Sequence, residues 1–199
     1  TSKFIETALH FDQKLFDETY ARCLKEIGFI NFYKDILIKT MNKISILFLN
    51  NEITSANEHF LSENIRIKIS YEISQQKSKE DSKKQWVVFL PENEYHDIGL
   101  LFTSLILKKN NQKIIYLGQN TTRESLLQFN KKNNNFLLFL NTKRREGFAD
   151  KLCSFLSSKL PLSMIYIIEK EKVLTKKYNN TKSIESIDKF ISLLESEAI

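Results

Sequence analysis

Trp86-Val87-Val88-Phe89-Leu90 is an unbroken apolar run, and it leads straight into Pro91-Glu92-Asn93-Glu94-Tyr95-His96-Asp97-Ile98-Gly99. A buried strand that runs into a loop holding a histidine and a glycine, then into an apolar helix, describes a ligand position at the carboxyl end of a parallel strand. Loops at that edge are where open α/β sheets bind ligands. An imidazole there can bind a metal or a metal-containing cofactor. The chain has only 3 histidines, so this placement stands out.

The same alternation continues downstream. Lys113–Leu117 precedes a helical pattern over Arg123–Asn130, and Phe136–Leu140 precedes one over Gly147–Leu160. Met164–Ile168 and a weak Val173–Leu174 run precede a last pattern over Ile184–Glu197. Strands alternating with helices predict a parallel sheet wound on both faces. The expected architecture of residues 85–199 is a flavodoxin-like (Rossmann-type) five-stranded parallel sheet.

Upstream the period is helical throughout. Phe4, Ile5 and Leu9 suggest a short first helix. Leu15, Phe16, Thr19, Tyr20, Cys23, Leu24 and Ile27 form a second stripe. Gly28 separates it from a third, Phe29 to Phe48, which reads as one amphipathic helix. A fourth helix is expected from about Ser55 to Ser74. Its stripes Ala56-Phe60-Ile67 and Leu61-Ile65-Ile69-Ile73 predict burial on two sides. Four helices with short connections make a small bundle. The fold class is therefore α/β, an N-terminal four-helix bundle followed by the sheet. Ser74 to Lys84 (SQQKSKEDSKK) contains no apolar residue. It divides the chain into a bundle over 1–76, a linker over 77–84 and an α/β domain over 85–199.

Composition excludes several classes. At 199 residues and 42% hydrophobic content the chain is long and apolar enough to bury a core. No apolar run reaches membrane-spanning length and no signal peptide is visible, so no membrane association and a cytoplasmic location are expected. The first residue is Thr1, and a further segment is expected ahead of it. Cys23 and Cys153 lie in apolar helical patterns and read as buried reduced thiols. No Cys/His spacing suggests zinc. The net charge is +6, and all of it falls in residues 81–199, where 19 basic residues face 13 acidic ones. The excess is scattered over Lys108, Lys109, Lys131, Lys132, Lys143, Arg144, Arg145, Lys176 and Lys177. No helix carries a continuous basic face interleaved with aromatics, so the charge reads as solvated surface rather than a nucleic-acid site.

Two constellations carry chemistry. Glu94 lies two residues before His96 and can accept the proton on one ring nitrogen, which fixes the tautomer and raises ligand basicity. Gly99 would let a flat ligand approach the backbone, and Asp97 is a candidate N-cap. A loop histidine without a ligand is the plain alternative, and spacing leaves both open. Glu58-His59 opens the fourth helix. There Ser55-Ala56-Asn57-Glu58 fits a capping box, in which the glutamate merely closes the helix start.

On these residues the chain resembles the cobalamin-binding domain of MerR-family light-sensing transcription regulators, and more distantly the cobalamin module of methionine synthase. The motif acidic-x-His-x-x-Gly is present as Glu94, His96 and Gly99, followed by Ile114-Ile115-Tyr116-Leu117-Gly118. The resemblance covers bundle and sheet in order. It implies cobalamin, adenosylcobalamin in particular, with His96 as lower axial ligand of cobalt. It also implies that Phe48, separated by nine intervening residues from Glu58-His59, caps the upper face together with that pair. Asp97, Gly118 and Thr142 are the remaining residues it assigns to the cofactor.

Departures accompany it. Phe48 stands where the light sensors have tryptophan, and Leu49 where some have a second histidine ligand. Leu140-Asn141-Thr142 only loosely matches the Ser-x-Leu segment. Ile168-Glu169 replaces the Gly-Gly that makes room for the cofactor's nucleotide tail. The resemblance implies a non-catalytic sensor and homo-oligomerisation domain, with DNA bound by a helix-turn-helix ahead of Thr1. Two alternatives are the same domain with cobalamin binding lost, acting through protein contacts, and a corrinoid carrier for a methyltransferase. No nucleophile–base pair or phosphate-binding glycine loop points to catalysis by the chain itself.

Overall fold

The computed structural model describes residues 1–76, 85–130, 134–140, 146–169 and 173–196. The expected linker over 77–84 lies outside the described residues, as does Thr142. The chain divides into two compact units, Thr1–Lys68 and Ile69–Ile199.

The first unit is built from α1 (Ser2–His10), α2 (Gln13–Asn31), α3 (Ile38–Leu49) and the start of α4 (Ser55–Gln75). Its core is aromatic. Phe4 meets Phe16 edge-on at 5.5 Å and stacks on Phe32 at 5.8 Å, and Tyr20 meets Phe32 edge-on at 5.0 Å. Such pairs add roughly 0.5–1.5 kcal/mol each beyond their buried area. The Asp12 carboxylate caps α2 by accepting the Leu15 N–H at 2.9 Å. Gly28 breaks the helix as expected, with φ 73° and ψ 165°, a conformation that strains any residue with a Cβ. The stripe beyond it is not one regular helix: Phe32–Leu37 is a π-helical stretch leading into α3. Nor does α4 bury two sides. Leu61, Ile65 and Ile69 are buried, whereas Ala56 and Ile67 are exposed and Phe60 is half-buried. Only one of the two expected stripes faces a core. Cys153 is buried as expected, but Cys23 is only half-buried.

The second unit holds a five-stranded, all-parallel sheet: β1 (Gln85–Pro91), β2 (Lys113–Thr121), β3 (Asn134–Leu140), β4 (Met164–Glu169) and β5 (Thr181–Ile184), in the order β2-β1-β3-β4-β5. This is the flavodoxin-like order, and its direction reverses between β1 and β3. The crossovers carry α5 (Ile98–Lys109), a 3-10 helix (Glu124–Phe129) where an α-helix was expected, and α6 (Phe148–Lys159). The chain closes on α7 (Ile187–Ser196). The Val173–Leu174 run is not a strand. The fifth strand is Thr181–Ile184, a half-exposed edge strand with too little apolar sequence to announce itself.

Alternation sorts the sheet residues onto two faces. Val87, Phe89, Phe136, Leu138, Ile165 and Ile167 pack with Leu152, Cys153 and Leu156 of α6. On the other face Trp86 packs on Tyr166 at 4.9 Å and edge-on to Phe190 of α7 at 5.6 Å. Both faces are buried, which is why the strands read as continuous apolar runs. Phe136 is fully buried and edge-on to Phe89 and Phe129. Phe136→Ala should destabilise the protein by about 3–5 kcal/mol, read as a lower urea midpoint; a loss under about 1 kcal/mol would contradict this packing.

Candidate functional site

The reversal of strand order opens the carboxyl edge of the sheet beside β1, and the residues after Pro91 occupy that position. Pro91 C=O accepts the Glu94 N–H at 3.0 Å, closing a tight turn in which Asn93 takes φ 59°. Asparagine tolerates that left-handed conformation better than most residues.

The Glu94 side chain is completely buried. Its Oε1 accepts the backbone N–H groups of Tyr95 at 3.0 Å and His96 at 3.1 Å, and lies 2.8 Å from His96 Nδ1. A buried carboxylate needs such donors to offset its lost hydration. With the Nδ1 proton directed at Glu94, the neutral ring carries its lone pair on Nε2. The imidazole itself is 73% exposed. A fixed tautomer on a buried anchor, with the ring in solvent, is the arrangement a metal-ligating histidine needs.

β2 frames this loop through residues that the motif does not contain. Its pairing with β1 slips twice, and the slips coincide with Gly118 (φ 75°) and Asn120 (φ 51°). The bulges turn the end of β2 over the loop. Asn120 Oδ1 accepts the Asn93 N–H at 2.9 Å, the Asn120 N–H donates to Glu94 C=O at 3.2 Å, and Gln119 Nε2 donates to Tyr95 C=O at 2.8 Å. A glycine inside a strand pattern followed by Gln-Asn was the available signal. Gly118 thus shapes the strand, and a Cβ there would press on the Tyr116 ring at 3.3 Å.

A Cβ on Gly99 would lie 3.1 Å from Phe139 Cε1, so the missing side chain lets α5 approach β3. Asp97 holds the N-cap position of α5 but makes no side-chain cap; its carboxylate lies 3.5 Å from the Tyr116 hydroxyl.

In the first unit, Phe48 and Leu49 end α3 exposed, and Glu58 and His59 open α4, with His59 Nε2 3.7 Å from Glu58 Oε2. The expected capping box sits one residue earlier. Asn57 Oδ1 accepts the N–H of Thr54 at 2.9 Å and its hydroxyl at 2.7 Å, while Asn57 Nδ2 donates to Ala8 C=O at 2.9 Å. Thr54 and Asn57 close the helix, so capping does not account for Glu58.

At the end of β4, Glu169 is buried and fully engaged. Its Oε2 accepts the N–H of Val173 at 3.0 Å and of Leu174 at 3.3 Å, and its Oε1 accepts the Ser183 hydroxyl. Asp150 of α6 accepts the Thr175 hydroxyl at 2.5 Å and the N–H groups of Thr175 and Lys176 at 3.3 and 3.1 Å. Two carboxylates therefore fasten residues 173–176 onto the α6 face. Sequence reasoning found Glu169 as a bulky replacement but not this clamp, and it missed Asp150.

No cluster of three or more His, Cys, Asp and Glu able to hold a bare ion exists among the described residues. His96 could supply one ligand to a metal whose other positions are already filled, as in a corrin ring. That part of the site fits cobalamin. The clamped segment at β4 does not fit an inserted nucleotide tail. No described helix is long and apolar enough to cross a membrane.

Comparison with known proteins agrees with the fold. Residues 2–71 match the family described as B12 binding domain, which supports cobalamin as the cofactor. No curated protein sequence matches. The monomethylamine corrinoid protein of Methanosarcina barkeri has the same fold, with a TM-score of 0.70 at 13% identity over 98% of this chain and 95% of that one. Two looser likenesses are the methanol:cobalamin methyltransferase complex of the same organism, with a TM-score of 0.46 at 13% identity over 98% and 77%, and a cobalamin-binding protein of Desulfitobacterium hafniense, with 0.41 at 11% over 97% and 96%.

The clamp makes a pH prediction. The Thr175 hydroxyl, then the amides of Lys176 and Thr175, hold the Asp150 carboxyl below its ordinary 3.8, against the effect of burial. A depressed carboxyl stabilises the fold fully above its unfolded pKa and stops doing so as pH falls through its folded value. The melting-temperature gap between wild type and Asp150→Asn should be constant from about pH 5 to about pH 7 and close below about pH 4. A gap independent of pH would contradict the assignment.

Proposed function

We propose that this chain is a corrinoid-binding carrier module that ligates cobalt through His96 and presents the cofactor to a partner protein in a methyl-transfer system. The observation that carries this reading is the His96–Glu94 pair. The buried carboxylate sets the tautomer, raises the basicity of the ligating nitrogen and holds the ring in solvent. A corrinoid would bring most of its metal's ligands with it, so His96 alone would suffice to hold it. The family match over residues 2–71 supports the same cofactor from the helical unit, where we assign Phe48, Glu58 and His59 to cofactor contact. When bound, cobalamin supplies a cobalt centre able to carry a one-carbon group. The chain binds and orients it, and chemistry on the substrate belongs to the partner. The likeness to a corrinoid protein along nearly the whole of both chains favours the carrier over the regulator.

A second reading keeps the site and changes its use: an adenosylcobalamin-dependent sensor and oligomerisation domain of a MerR-like, light-sensing transcription regulator, with DNA bound by a domain ahead of Thr1. The Phe48–Glu58–His59 spacing favours it. A domain that has lost cobalamin altogether is disfavoured by the intact His96–Glu94 pair.

Titration of the chain with hydroxocobalamin, followed by desalting, tests the proposal. Retained corrinoid with the spectrum of imidazole-ligated cobalt is expected. His96→Ala should abolish that spectrum, and Glu94→Gln should weaken binding by about 10–100-fold. Retention of neither hydroxocobalamin nor diaquacobinamide by the wild type would overturn the corrinoid reading. A light-dependent change in oligomer size with adenosylcobalamin would favour the sensor over the carrier.

A further inference from the structure

We propose that the α/β unit discriminates among corrinoids by their lower nucleotide, accepting those in which it is small or absent and disfavouring cobalamin itself. The inference rests on the corrinoid reading above. A corrinoid's lower nucleotide is tethered to its ring, so if His96 held the cobalt, that nucleotide would need room on the His96 side of the ring, next to the sheet edge.

That edge is occupied by the chain's own residues on the α6 face. Glu169, Ile165 and Ile167 share that face of β4, and Asp150 lies in the first turn of α6. Between them the two carboxylates hold Val173, Leu174, Thr175 and Lys176 by four backbone amides, and Leu174 is buried in the α6-side core. Tyr178 adds a hydrogen bond from its hydroxyl to Asp150 C=O at 2.9 Å. Both carboxylates lie near enough to Cys153 to help raise its thiol, which burial chiefly pushes up to about 12. They converge on one place from two elements.

Opening this space would strip the donors from two carboxylates at once, leaving buried charge without partners. Beside the β1 loop the same face retains a cleft of about 120 Å³, reaching from Pro91 and Glu92 to Arg123 and Lys151. That is small beside the roughly 300–1,000 Å³ of sites that enclose drug-sized ligands.

The test compares diaquacobinamide, which lacks the nucleotide, with hydroxocobalamin, both titrated into the full chain by absorbance. The tethered base competes with His96 for cobalt whatever lines the α6 face, so the reference is the same pair of titrations with Glu169→Gly, which keeps that competition and removes one side chain from the face. The wild type should prefer cobinamide by at least about tenfold more than Glu169→Gly does, the variant gaining cobalamin affinity while its cobinamide binding stays unchanged. Circular dichroism checks that the variant folds, and Glu169→Ala replaces it if it does not. An equal preference in wild type and variant, with a His96-dependent spectrum for both corrinoids, would overturn the discrimination and leave the proposed function standing. Binding of neither corrinoid would overturn both.

Discussion

The carboxyl edge of this sheet depends on one buried oxygen. Glu94 Oε1 takes the His96 ring proton and two consecutive backbone N–H groups, and the carboxylate has no access to solvent. Removing the charge would leave three donors pointing at nothing, and removing the donors would strand a charge in an apolar setting. Each side therefore enforces the other. The loop has one conformation, and the imidazole has one orientation and one tautomer. Chemistry at His96 follows from that constraint more than from the histidine itself.

The same device recurs at Glu169 and Asp150. Glu169 takes two amides and a hydroxyl, and Asp150 takes two amides and two hydroxyls. Glu169 lies at the end of β4, a strand buried on both faces, and Asp150 lies in the first turn of α6, whose buried face packs on the sheet. With only 4 glycines in the chain, tight glycine turns are scarce. Carboxylate-to-amide bonds do the work of closing loops, and asparagines in the left-handed region, such as Asn93 and Asn120, take over turn positions. At Glu94 this chemistry produces a presented ligand. At Glu169 and Asp150 it produces a filled space.

Parts of this were legible in the chain itself. Five strands, their parallel arrangement and the bundle ahead of them follow from local periodicity, because strands buried on both faces must be apolar throughout. The break at Gly28 and the Glu94–His96 pairing are also short-range, spanning one or two residues. Local spacing does not record partners that are distant in the chain. Asn57 rather than Glu58 closes α4, partly because Asn57 also reaches Ala8. The packing of Gly99 against Phe139 is a contact between α5 and β3 that no spacing encodes. The apolar Val173–Leu174 reads as the fifth strand, which lies instead at Thr181–Ile184, since an edge strand needs no apolar run while a loop fastened to a buried carboxylate can bury Leu174.

The sequence by itself determined the order of elements, the sheet type and the ligand-bearing loop, because periodicity and neighbouring residues encode each of them. Only the tertiary structure decided what surrounds that loop. The two bulges in β2, the amides gathered by Asp150 and Glu169 and the resulting closure on the α6 face join residues up to 30 positions apart in the chain. Such pairings are set by which strands lie side by side, and no local spacing records them.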